Sequence, residues 1–77
     1  MYVTGQEIEY SNGRFAPVVW AAHEGNDCAD GHFVIQEGPV HYSLCYLDLN
    51  TDEEVWWYVD EGHATAESAI RAYMNGR

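Results

Sequence analysis

Hydrophobic and polar positions alternate in short runs along most of this chain, and only the last stretch switches to a helical period. Residues 2–10 read as a first strand. Ser11-Asn12-Gly13-Arg14 follows, and an Asn-Gly pair between extended runs predicts a hairpin, because a type I′ turn needs positive φ at both central residues. Residues 15–23 form a second strand. Pro17 lies inside it and lacks a ladder donor, which predicts a sheet edge or a bulge there. Residues 24–31 are a polar loop, 32–36 a third strand, Gly38-Pro39 a turn, and 40–49 the fourth and longest strand. Asn50-Thr51-Asp52-Glu53 turns the chain into a fifth strand over 54–59.

Ala66, Ala69, Ile70, Tyr73 and Met74 then recur at helical spacing. They predict a helix over 65–75 with Ile70, Tyr73 and Met74 buried. Thr65 suits the N-cap, Glu67 the positive end of the helix dipole, and Gly76 the C-terminal stop. The pattern predicts one α+β domain over 1–77. Its architecture is a small antiparallel sheet of four to five strands with one C-terminal helix packed on one face.

That architecture has a covering problem. In the fifth strand Val55, Trp57 and Val59 share one face, and Trp56 and Tyr58 the other. In the fourth, Leu44 and Tyr46 oppose Cys45, Leu47 and Leu49. Both faces are apolar. A helix is about 10 Å wide, and five strands at about 4.8 Å spacing are roughly twice that. The second face must be closed by curling, by a second copy in a homodimer, or by a partner. An aromatic patch around Trp56 and Tyr58 is the expected contact surface, since Trp and Tyr are enriched in interface cores.

Charge changes the picture most. The 77 residues carry 13 Asp and Glu against three Arg and no Lys, a formal net charge of −10. With 47% hydrophobic and 14% aromatic residues the chain is too apolar for disorder, so it folds despite this repulsion. Direct nucleic-acid binding is excluded, because phosphate contacts need Lys and Arg. An anionic membrane surface is excluded on the same ground. No run approaches the roughly 20 apolar residues of a membrane span, and Met1-Tyr2-Val3-Thr4-Gly5-Gln6-Glu7 lacks the basic and apolar regions of a secretory signal. A cytoplasmic location is expected, where Cys28 and Cys45 stay as thiols.

The densest acidic segment holds Asp48, Asp52, Glu53, Glu54, Asp60 and Glu61 with no basic residue among them. Glu7 and Glu9 add a pair about 7 Å apart on one strand face. Carboxylates at such intervals imitate a phosphate backbone; the plainer reading is a solvated acidic face. No cofactor or metal is expected. Residues 26–37 place Asn26 and Cys28 where a calcium loop needs oxygen ligands in the first and third positions. His23, Cys28, His32, His41, Cys45 and His63 match no zinc spacing. Cys45 lies mid-strand among apolar residues, where thiols are inert, and enzyme activity is not expected.

The compact Lys-free chain, its acidic turn Asn50-Thr51-Asp52-Glu53-Glu54 and its aromatic strand Val55-Trp56-Trp57-Tyr58-Val59 resemble the phage-encoded anti-CRISPR inhibitors. The resemblance lies in size, charge and texture across the whole chain and assigns no residue a role. It implies an inhibitor that blocks DNA binding by a CRISPR-Cas effector complex in the host cytoplasm, by DNA mimicry. From the charge and strand pattern, Asp48, Asp52, Glu53, Glu54, Asp60, Glu61, Trp56 and Tyr58 are the residues expected to meet a basic protein surface. An immunity protein or antitoxin against a basic nuclease satisfies the same chemistry. A structural protein that dimerises through an aromatic sheet face satisfies the apolar pattern.

Overall fold

The computed structural model describes residues 2–22, 31–48 and 55–76. Five strands, β1 (Glu7–Ser11), β2 (Arg14–Ala21), β3 (His32–Gly38), β4 (His41–Leu47) and β5 (Trp56–His63), precede one helix, α1 (Ala66–Asn75). All neighbours are antiparallel and the sheet order is β1-β2-β3-β4-β5. The expected loop over 24–31, except Gly31, and the turn over 50–53 lie outside the described residues.

Ser11 pairs with Arg14 across Asn12-Gly13, where Gly13 adopts φ +78° and the Glu9 carboxylate accepts its N–H at 2.8 Å. The hairpin is where Asn-Gly predicts it. The first strand is shorter than the alternation suggests: Tyr2 precedes it in irregular chain and buries its ring in the core instead. Pro17 is neither at an edge strand nor the bulged residue. β2 pairs with β1 over Arg14–Pro17 and with β3 over Val18–Ala21, so the residue without an N–H sits where the strand changes partner.

A bulge follows. Val18 pairs with Ile35 but Trp20 pairs with Val34, which leaves Val19 as an extra residue and turns Trp20 to the other face. The sheet curls. Its inner face gathers Tyr2, Ile8, Ala16, Val18, Phe33, Ile35, Cys45 and Leu47, with Tyr10, Ala21, Trp56 and Tyr58 against them. Both edge strands contribute, as a coiled sheet allows and a flat one would not. Of the three ways to close the second face, curling supplies this core.

A second cluster joins Ala22, Val34 and Leu44 to Ala69 and Tyr73 of α1. The Tyr73 ring lies 5.4 Å from Trp20 and 4.8 Å from His32. The Thr65 hydroxyl accepts the Ser68 N–H at 3.1 Å, the N-cap its position predicts. Gly76 closes the helix by donating to the Ala72 carbonyl, at φ −86° and so without a left-handed turn. Met74 is a correction. It is 56% exposed, and Ile70 is half-buried. The buried line runs through Ala69 and Tyr73, and Met74 lies about 100° further round the helix.

Gly31 precedes β3 at a point where no side chain fits, because an added Cβ would collide with the Leu47 carbonyl oxygen. That oxygen belongs to backbone fixed by the Leu47 N–H···O=C Gly31 bond at 2.8 Å, so it cannot give way. Gly31→Ala is expected to destabilise the protein by about 1–3 kcal/mol, as overpacked sites do. Denaturant unfolding measures it; an unchanged midpoint would show that the two segments have slack.

Candidate functional site

The acidic and aromatic residues singled out by sequence divide by position. Asp52, Glu53 and Glu54 lie outside the described residues. Asp48 follows β4, half-buried, its backbone N–H bonded to the Val55 carbonyl at 3.0 Å. Asp60 and Glu61 are exposed on the edge strand β5, and Glu7 and Glu9 are exposed on the opposite edge, β1. Charged edges repel strand addition by another chain.

Trp56 and Tyr58 are not the exposed face of β5. Both are half-buried against the inner core, and Trp56 lies 5.7 Å from the Phe33 ring. Their pairing with Leu47 and Cys45 puts them on the inner face, and the curl carries the edge strand over that core. The exposure falls to Val55 (44%), Trp57 (47%) and Val59 (50%), with Trp57 resting on Tyr46 at 5.3 Å.

Where β5 leaves regular pairing, a cavity opens. Glu61, Gly62, Glu37, His41 and Ser43 line it. Two pairing irregularities in β5 create the space: Cys45 pairs with Tyr58, Leu44 with Asp60 and Tyr42 with His63, so the edge strand carries extra residues. Glu37 is held in place there. The Ser43 hydroxyl donates to its Oε1, and the Tyr58 hydroxyl donates to its Oε2 at 2.8 Å. Ser43 itself is buried. Sequence reasoning missed this group. The signal was parity: Glu37 shares a face with Phe33 and Ile35, and Ser43 shares one with Cys45, so two polar side chains were aimed inward.

The local field follows from these carboxylates. Burial, then Glu37 and Glu61, pushes the Cys45 thiol far above its ordinary range. Burial, the hydrogen bond to Glu37 and the charges of Glu37 and Glu61 push the Tyr58 phenol up as well. Cys45 is a free thiol; Cys28 lies outside the described residues. In a Cys28→Ser variant, Cys45 is expected to ignore thiol reagents in buffer and to react once denaturant unfolds the chain, because the thiolate is the nucleophile. Rapid labelling of the folded protein would contradict the burial.

A second polar group ties β5 to α1. His63 Nε2 meets Asp60 Oδ2 at 2.9 Å, and Nδ1 meets Ser68 Oγ at 2.7 Å. These are the residue types of a nucleophilic triad, but the ring nitrogens are exchanged relative to the usual arrangement. The Ser68 N–H is also already bonded to Thr65, so it is not free to serve as an oxyanion donor. The trio acts as a staple between strand end and helix start. Among the described residues no group of three His, Cys, Asp or Glu side chains is placed to hold a metal ion. No protein family, curated protein or solved structure matches this chain.

Proposed function

We propose that this protein is an acidic inhibitor that occupies a basic, nucleic-acid-binding surface of a larger protein, without enzymatic chemistry of its own. The observation that carries the reading is the charge: −10 over 77 residues with no Lys. Exposed carboxylates at Glu7, Glu9, Asp60 and Glu61 support it, since they flank the sheet on both edges. Arg71 does little to offset them, because it is spent on Glu67 at 2.6 Å. The favoured target is a CRISPR-Cas effector complex in the host cytoplasm, kept from DNA by charge mimicry. A basic nuclease offers the same surface to an immunity protein.

We further infer that α1 lies over the outer face of the sheet, through Ala69 and Tyr73, opposite the inner face that the curl buries. The exposed Val55, Trp57 and Val59 favour a second reading, a protein that assembles through an apolar stripe on β5. Competition separates the two. Nucleic acid added to a captured complex displaces a mimic and leaves an apolar assembly intact. Undisturbed binding at saturating nucleic acid would reject mimicry.

A further inference from the structure

We propose that the cavity between the β3–β4 turn and the irregular end of β5 takes the guanidinium of an arginine side chain presented by the basic partner. The inference rests on the inhibitor reading and deepens it. The cavity measures about 260 Å³ and is lined by Glu37, His41, Ser43, Glu61 and Gly62. Sites for drug-sized ligands span roughly 300–1,000 Å³, so this one has room for a single side chain rather than a nucleotide or an organic cofactor.

Its chemistry selects a cation. Two of the five lining residues, Glu37 and Glu61, carry carboxylates and none is an Arg. Glu37 is preorganised: Ser43 and Tyr58 each occupy one oxygen, and each carboxylate oxygen retains a lone pair for a further donor. A carboxylate fixed before binding loses little freedom on binding. Glu61 is exposed at the rim and supplies the second charge. A planar guanidinium presents five donors in a fork and bridges two carboxylates, whereas an ammonium is a point charge with a tightly held water shell. A divalent metal does not suit the walls, since among the described residues no three ligating side chains converge. Arginine is also the charged residue most enriched at interface hot spots, where it fills a pocket ringed by weaker contacts.

Isotope-labelled protein titrated with acetyl-arginine amide at low salt tests the assignment by NMR. Acetyl-citrulline amide, of the same shape without the charge, is the control. The arginine derivative is expected to shift the amides of Glu37, His41, Ser43, Glu61 and Gly62, and citrulline to leave them. Glu61→Gln should weaken the arginine titration at least about tenfold, the loss of one charge-assisted contact. Tyr58→Phe, which frees one oxygen of Glu37, should weaken it several-fold. Equal shifts with citrulline, shifts scattered over the surface, or unchanged affinity in both variants would overturn the proposal. A short poly-arginine peptide separates the two levels. If it binds in a salt-dependent way to wild type and Glu61→Gln alike, the cavity is not the anchor while the inhibitor reading survives. If neither probe binds at low salt, both fall.

Discussion

Replacing Phe33 with Ala is expected to cost about 3–5 kcal/mol of folding stability, the range for removing a buried aromatic ring. Phe33 is 1% exposed at the centre of the inner core. The Tyr2 ring rests edge-on against it at 4.8 Å, and the Trp56 ring at 5.7 Å. The chain before β1 and the far edge strand therefore meet on one side chain. Truncation leaves a cavity and releases both neighbours at once. The size of the effect follows from the size of the protein: at about 0.05–0.15 kcal/mol per residue, a chain of this length has only about 4–12 kcal/mol in total. The melting temperature should fall by about 12 °C or more, taking about 4 °C per kcal/mol for a domain of this size. The Trp fluorescence of the folded state should change too, because Trp56 loses its neighbour. A shift below about 4 °C would mean that the inner face does not form one continuous core.

Binding to a basic partner should weaken steeply with salt. The screening length falls from about 10 Å at 0.1 M to about 3 Å at 1 M, so exposed carboxylates lose their reach. The loss should fall mainly on the association rate, by about 10²–10³-fold, since steering lifts association from a neutral range of about 10⁵–10⁶ M⁻¹s⁻¹ towards 10⁸–10⁹ M⁻¹s⁻¹. Reversing Asp52, Glu53 and Glu54 to Lys changes the net charge by six, from −10 to −4. It should reduce the association rate far more than Glu67→Lys, because Glu67 is already neutralised by Arg71 at 2.6 Å. Stopped-flow association over a salt series measures both. A rate indifferent to salt and to the triple reversal would leave the acidity as a solubility device and shift attention to Val55, Trp57 and Val59.

The elements legible in the sequence are those whose causes are local. Asn12-Gly13 makes a hairpin because the turn needs backbone conformations that these residues tolerate. Thr65 starts the helix because its hydroxyl bonds the Ser68 N–H three residues on. Leu44 and Cys45 face opposite cores because alternation is a property of any strand. The negative charge needs no fold at all. Each of these is decided within a few residues, so reading them requires no knowledge of neighbours in space.

What the tertiary structure decided are the places where a strand breaks its own period. Val18 and Trp20 share a face by alternation, yet the unpaired Val19 sends Trp20 towards Tyr73. β5 runs through Asp60, Glu61 and Gly62 to His63, residue types that mostly disfavour strands, because β4 offers it a ladder from Leu47 back to Tyr42. Its irregular pairing brings Glu61 and Gly62 beside Glu37 and Ser43, and these residues line the cavity. The curl places Trp56 and Tyr58 over the inner core and leaves Trp57 outside. A bulge or a curl is chosen by the packing of several strands at once, at the expense of a local hydrogen bond. No single stretch of this chain carries the information that fixes it.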